Sequence, residues 1–218
     1  MKALIIVDLQ NDFMPGGPLG VPGADELASI INPLMEKFSL VIATQDWHPV
    51  NHCSFAKNHF GKKVGDVVNI KGVTQILWPV HCLRDTPGAE LVDNLHKKPI
   101  ASHFYKGTDQ GIDSYSAFFD NAHLRSTGLG DYLKSRSITD VYLAGVATDY
   151  CVLYSAIDAL DLGFKVHIIL DACRGINLQP GNIDKALAAI AARGGESITC
   201  EGLPCLIHTQ NSGKLECS

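Results

Sequence analysis

Apolar residues in this chain come in two rhythms that alternate along its length. Short, mostly unbroken apolar runs occupy residues 3–7, 40–43, 100–105, 141–144 and 166–170. Each reads as a strand buried on both faces of a parallel sheet. Between them, apolar positions recur at helical spacing: Leu27, Ile30, Ile31, Leu34 and Met35; then Leu129, Tyr132 and Leu133; then Val152, Leu153, Ala156, Ile157 and Leu160; then Ile183, Leu187 and Ile190. Pro33 falls inside the first group, so that helix is expected to kink or break near it. A weak sixth strand is expected at 197–200. Strands alternating with helices predict an α/β fold, an open parallel sheet covered on both faces. No repeat, linker or second domain interrupts the pattern, so residues 1–218 are read as one domain.

The rhythm fails between about 47 and 98. Pro49, Gly61, Gly65, Gly72, Pro79, Pro87 and Gly88 punctuate this stretch, which holds five of the nine histidines: His48, His52, His59, His81 and His96. Irregular chain of that length is uncommon in a compact domain unless it has a function. It is expected to be a metal-binding insertion. Residues beyond Gly202 fit no pattern.

Composition narrows the function classes. A chain of 218 residues can bury a sizeable core. A net charge of −5 argues against a nucleic-acid-binding surface. Seven cysteines, an odd and scattered count, suggest reduced thiols and a cytoplasmic home rather than a disulfide framework. The first apolar run is too short for a signal peptide or a membrane span, and Asp8 ends it.

Reactive side chains collect at strand ends. Asp8, Asp46, Lys106 and Cys151 each lie at, or a few residues beyond, the C-terminal end of an expected strand. In open α/β sheets that edge borders the ligand crevice. Cys151 is expected in the first turn of a helix, where free N–H groups lower a thiol's pKa and can hold an oxyanion. Asp8 suits a base that takes the thiol proton and returns it to a leaving amine. Lys106 suits a cation that favours thiolate and carboxylate together. Taken singly, these residues also read as a buried structural cysteine, a turn aspartate and a solvated lysine. Asp46 and His48, two residues apart in extended chain, point to the same side and suit a divalent metal of the zinc or iron type. His52 and His81 are candidates to complete the shell, and Cys53 and Cys82 rank as bystanders beside them. Phe13, Trp78 and Tyr115 lie on loops expected to rim the crevice, as core packing or as a slot for a flat ring.

Four segments then carry a family resemblance: Val7-Asp8-Leu9-Gln10-Asn11-Asp12-Phe13, Asp46-Trp47-His48-Pro49-Val50-Asn51-His52, Trp78-Pro79-Val80-His81-Cys82 and Gly145-Val146-Ala147-Thr148-Asp149-Tyr150-Cys151-Val152. With Lys106-Gly107 and the run from Asp113 to Phe118, the chain resembles the nicotinamidases among the isochorismatase-like cysteine hydrolases. The resemblance covers nearly the whole chain to about residue 200, and the tail from about Leu203 does not match. It implies a three-layer αβα sandwich with a six-stranded parallel sheet and an Asp8–Lys106–Cys151 triad. It also implies a cis Val146–Ala147 peptide, an oxyanion hole from the N–H groups of Ala147 and Cys151, and a ring slot at Phe13, Trp78 and Tyr115. Implied metal ligands are Asp46, His48 and His81, with His52 matching a histidine that ligates in some members. The implied metal is a divalent ion, zinc first, with iron or manganese as alternatives. The implied substrate is nicotinamide, hydrolysed to nicotinate in NAD salvage. Pyrazinamide as an alternative substrate and a homo-oligomer stay open.

Two rival readings stay beside it. A related amidohydrolase acting on a carbamoyl or ureido group shares the triad but generally lacks the metal set. A non-catalytic, metal-stabilised interaction domain would not need Asp8 or Lys106. Isochorismatase proper lacks the nucleophilic cysteine. A redox-sensing thiol would need a resolving cysteine near Cys151, and the sequence places none.

Overall fold

A computed structural model describes residues 1–203; the unassigned tail after Leu203 lies outside the described residues. Six parallel strands form the central sheet: β1 (Lys2–Val7), β2 (Leu40–Asp46), β5 (Ile100–Lys106), β6 (Asp140–Val146), β7 (Lys165–Arg174) and β8 (Glu196–Ile198), in the order β5-β2-β1-β6-β7-β8. β1 sits between β2 and β6, so the chain reverses its direction of winding there. That switch point is where an open sheet leaves a crevice at the carboxyl ends of its strands.

The alternation of side chains along each strand builds both faces. Leu4 and Ile6 of β1, Val41 and Ala43 of β2 and Tyr142 and Ala144 of β6 enter one buried cluster, with α1 (Leu27–Met35) and Leu91, Val92 and Leu95. Ala3, Ile5, Val7, Ile42, Val141 and Leu143 enter the other. There they meet α2 (Leu129–Ser135), α3 (Leu153–Asp161) and Ile190 of α4 (Asn182–Ala192). Strands buried on both faces explain why they read as continuous apolar runs. The three-layer α/β architecture expected from the sequence is the one observed.

Four local differences have physical causes. α1 passes through Pro33 and stops two residues later at Met35, so the helix ends beyond the proline instead of breaking at it. β7 extends to Arg174, past the expected 170, after a register shift opposite Leu143 and Gly145 of β6. Cys151 lies not in an α-helical first turn but in a π-type turn, Thr148–Val152, which leads into α3. The stretch 47–98 is not wholly irregular either. It carries an antiparallel hairpin of β3 (Val67–Ile70) and β4 (Val73–Ile76), closed by Lys71 and Gly72 at φ of +53° and +88°. Two positive φ values in a two-residue loop match the twist of the flanking strands. Lysine at the first position hides that turn from composition.

Candidate active site

Asp8 follows β1, Asp46 ends β2, Lys106 ends β5, and Cys151 follows β6. The sheet therefore brings all four to the switch point. Gly145 makes the close approach possible: at φ +119° a Cβ there would overlap the carbonyl oxygen of Val7 on the neighbouring strand. The Val146–Ala147 peptide that follows is cis. The turn after it is tied down by the Tyr150 and Val152 N–H groups, each donating to the Ala147 carbonyl at 3.0 Å.

Lys106 is the hub. Its ammonium is ion-paired to Asp8 Oδ2 at 2.8 Å and to Asp46 Oδ1 at still shorter range. It donates to the Ser114 carbonyl at 3.1 Å and to the Cys151 sulfur at 3.3 Å. The side chains of Lys106 and Asp8 are 1% and 0% exposed, so these charges hold one another without water. Asp8 Oδ1 also accepts from the Thr44 hydroxyl at 2.7 Å. An oxygen of Asp8, an oxygen of Asp46 and the Cys151 sulfur lie within 4.8 Å of one another, with the Lys106 nitrogen bonded to all three residues.

The electrostatics follow from this cage. Burial works against a charged Lys106, but Asp46, Asp8 and Cys151 outweigh it and hold its pKa well above the usual value. Burial pushes the Asp8 carboxyl up; Lys106 opposes and Asp46 reinforces. Against the effect of burial, Lys106 and then His48 hold Asp46 well below the usual carboxylate range. Burial pushes the Cys151 thiol up; Lys106 draws it down, but Asp8 and Asp46 add to burial. That corrects the sequence-based expectation of a thiol acidified by a helix end. Both neighbouring carboxylates therefore oppose ionisation of the thiol, and Lys106 alone among these groups favours it.

Asp46 faces two ways. Oδ1 is on Lys106, while Oδ2 lies 3.6 Å from His48 Nε2 and 3.7 Å from His81 Nε2. The Nδ1 atoms of both rings are engaged by carbonyls, His48 with Gly107 and His81 with Pro79, each at 2.8 Å. Those bonds fix the tautomers and leave both Nε2 atoms for the carboxylate side, the arrangement that metal-ligating histidines adopt. The three donor atoms lie within 4.8 Å of one another and are buried. Gly107 belongs to the same design: at φ +61° a Cβ there would overlap the His48 ring. Two imidazoles and a carboxylate with orienting partners fit a divalent metal.

His52 is not part of that trio. It groups with His48 and Asp113 instead, its Nε2 buried without a hydrogen-bond partner and 3.9 Å from Asp113 Oδ1. Burial, then the neighbouring His48, brings its pKa down to about 4, so the ring is neutral. Cys53 and Cys82 contribute to none of the three donor groups found among the described residues.

Phe13, Trp78 and Tyr115 line a small, mostly apolar slot with Leu19, Tyr150 and Ile176, and Asp46, His48, His81, Ala147 and Cys151 line the same cavity. Trp78 meets Tyr150 edge-on at 5.0 Å, Phe13 packs on His81 at 5.6 Å, and the Trp78 indole donates to the Tyr115 hydroxyl at 3.0 Å. The slot's lining thus reaches from the Asp46–His48–His81 trio to Cys151 and is mostly apolar and aromatic, as small-molecule pockets commonly are.

Residues 2–202 match the Isochorismatase domain. The chain belongs to the isochorismatase-domain family. Within that family it is 45% identical over 197 residues to the nicotinamidase of Escherichia coli, spanning 88% of this chain and 92% of that protein. Among solved structures it resembles a nicotinamidase–pyrazinamidase of Acinetobacter baumanii with a TM-score of 0.88 and 44% identity, over 91% of this chain and 95% of that one. Yeast nicotinamidase bound to the inhibitor nicotinaldehyde gives a TM-score of 0.86 at 38% identity, over 91% and 100%. The pyrazinamidase of Pyrococcus horikoshii in complex with zinc gives 0.74 at 37%, over 91% and 98%.

Sequence reasoning missed several residues that this family member uses to hold its site. Gln10 clamps the end of β2, donating to the Asp46 carbonyl at 2.8 Å and accepting from the Asp46 N–H at 2.8 Å. Asp149 accepts from the N–H groups of Ile176 and Asn177 at 2.9 and 2.8 Å, tying the cysteine turn to a slot wall. Asp113 and Gln75 meet behind Tyr115. Asp149 and Asp113 stand inside the motif segments; Gln75 has no sequence signal, because it lies in a hairpin of four-residue strands too short to show a period.

Proposed function

We propose that this chain hydrolyses nicotinamide to nicotinate and ammonia as a single cysteine-hydrolase domain, serving NAD salvage in the cytoplasm. The observation that carries the reading is the Lys106 ammonium bonded at once to Asp8, Asp46 and Cys151, at the end of an aromatic slot. The curated and solved nicotinamidases of the family support the substrate, and the pairing of slot with histidine–carboxylate trio speaks against a carbamoyl or ureido amide.

Asp46, His48 and His81 would hold a divalent metal, zinc first and iron or manganese as alternatives, with His52 beside them. A metal there would supply a Lewis acid for a ring nitrogen of the substrate. Phe13, Trp78 and Tyr115 flank the ring and direct the carboxamide at Cys151, which lowers the barrier through proximity. Asp8 takes the thiol proton as the sulfur attacks the amide carbon. Lys106 stays charged throughout and offsets the negative charge that shifts between sulfur and carboxylate. The N–H groups of Ala147 and Cys151 receive the oxyanion, each such donor being worth about 3 kcal/mol in comparable sites. The C–N bond breaks, Asp8 returns its proton to the leaving nitrogen, and ammonia departs. Water then attacks the thioester while Asp8 takes its proton and passes it to the departing sulfur, releasing nicotinate.

Protein quenched in acid during turnover and digested should carry a nicotinoyl group on the Cys151 peptide by mass spectrometry. An adduct on another residue, or none under conditions where single-turnover ammonia precedes nicotinate, would overturn the nucleophile.

A further inference from the structure

Thr44 bridges two atoms of one neighbouring residue. Its hydroxyl donates to Asp8 Oδ1 at 2.7 Å and accepts from the Asp8 backbone N–H at 3.3 Å. The two residues meet because β1 and β2 pair in parallel, Ile6 opposite Ala43. Asp8 holds a φ of +50°, a left-handed conformation uncommon for residues other than glycine. The bridge ties side chain to backbone at this turn and so fixes the direction of the carboxylate. Thr44 is fully buried and is not among the residues lining the slot, so it reaches a bound amide only through Asp8.

The other oxygen of Asp8 is kept free. An ammonium has three hydrogens, and those of Lys106 go to Asp46 Oδ1, the Ser114 carbonyl and the Cys151 sulfur. Asp8 Oδ2 is held by the charge of the same nitrogen at 2.8 Å, but no hydrogen bond is aimed at it. It is a buried carboxylate oxygen with an unspent lone pair, beside the nitrogen that also holds the sulfur. The thiol can supply the missing hydrogen, since an oxygen of Asp8 and the Cys151 sulfur lie within 4.8 Å of each other.

We propose that Thr44 is a positioning residue for the base: by occupying Oδ1 it makes Oδ2 the oxygen that takes the thiol proton. The inference rests on the nicotinamide reading above and deepens it. As the sulfur attacks, the Cys151 S–H bond breaks and an O–H bond forms at Asp8 Oδ2. The freed sulfur pair bonds to the amide carbon, and the proton on Oδ2 later goes to the departing nitrogen. Without the Thr44 hydroxyl the carboxylate can turn, and both of its oxygens compete for Lys106 and the thiol. Proton transfer is then misplaced, while the slot that receives the amide is untouched.

The test measures ammonia release from nicotinamide by the metal-loaded full chain, with metal content and melting temperature recorded for each variant. Thr44→Val keeps the shape and removes the hydroxyl; Thr44→Ser keeps the hydroxyl and removes a methyl group. Thr44→Val should lower kcat by about ten-fold or more, the range of one hydrogen bond to a charged group, and leave KM within about three-fold. Its metal content should match wild type. Thr44→Ser should keep kcat within about three-fold of wild type, although the cavity it leaves lowers its melting temperature. A packing role alone would reverse that order. In an Asp8→Asn background Thr44→Val should cost no further turnover, because it acts through Asp8. Should Thr44→Val fold poorly, Thr44→Ser against Thr44→Ala decides, since those two differ by the hydroxyl alone. Wild-type kcat in Thr44→Val, a loss in Thr44→Ser as large as in Thr44→Val, a loss carried by KM or by metal content, or a further loss in the Asp8→Asn background would overturn the inference and leave nicotinamide hydrolysis standing. A wild type that releases no ammonia overturns both.

Discussion

The side-chain nitrogen of Lys106 lies 2.8 Å from an oxygen of Asp8 in a site where neither side chain is more than 1% exposed. The same nitrogen holds Asp46 and the Cys151 sulfur, so one ammonium balances two carboxylates and a titratable thiol. Removing it strands those charges. Lys106→Met should destabilise the protein by about 3–5 kcal/mol, the usual cost of leaving buried partners unpaired. Urea denaturation at neutral pH measures it, and a loss below about 1 kcal/mol would show that the carboxylates find other partners.

The raised pKa of Lys106 sets a direction with pH. A base whose folded pKa exceeds its unfolded value, here 10.5, contributes stability that is fully present below 10.5 and lost as pH climbs through the folded value. The stability gap between wild type and Lys106→Met should therefore hold steady up to about pH 10 and narrow only above it. A gap that closes between pH 7 and 9 would contradict a charged Lys106 at rest.

Asp8 predicts the acid limb of activity. Burial raises its carboxyl above the usual 3.8, and it must be ionised to take the thiol proton. As pH falls, kcat/KM should drop with an apparent pKa above 3.8, and Asp8→Asn should lose turnover by about 10⁴-fold without that limb. Cys151→Ala should lose turnover to a similar degree yet still bind nicotinamide in calorimetry. Retained steady-state turnover by either variant would remove that residue from the mechanism.

Asp46 belongs to two constellations and His81 to one, which separates their variants. His81→Ala should lower metal content and raise KM, by about 10-fold or more. Its Cys151 alkylation by iodoacetamide should follow the wild-type pH profile. Asp46→Asn should lower metal content as well and also shift that profile to lower pH, since Asp46 is one of the charges holding the thiol up. Identical alkylation profiles in all three proteins would show that Asp46 does not act on the thiol.

Most of this site could be read from the chain because its chemistry stands at strand ends. β1, β2 and β6, buried on both faces, give runs that need no partner to be recognised, and with the edge strand β5, whose alternate residues are exposed, their C-terminal ends name Asp8, Asp46, Lys106 and Cys151. What could not be read depends on contacts between distant segments. That Asp46 belongs to Lys106 as much as to His48 follows from β2 pairing with β5 in register, Asp46 opposite Lys106. The direction of the Cys151 shift depends on two carboxylates brought in from other strands. Gln75 was hidden because four-residue strands around a Lys-Gly turn carry too little periodicity to show.

Gly107 offers a test of the metal trio that leaves every donor in place. Gly107→Ala puts a methyl group into the His48 ring at a backbone angle costing about 1–3 kcal/mol for a non-glycine residue. The variant should melt lower and bind metal more weakly; unchanged metal content by atomic absorption would mean that His48 is not a ligand.

The most direct measurement is ammonia release from nicotinamide by the purified protein, before and after chelation and with metal restored. Turnover that chelation abolishes and added zinc, iron or manganese restores is the predicted result. Absence of ammonia from the metal-loaded protein would contradict the account at its centre, and turnover that persists after verified metal removal would contradict the ring-anchoring role of Asp46, His48 and His81.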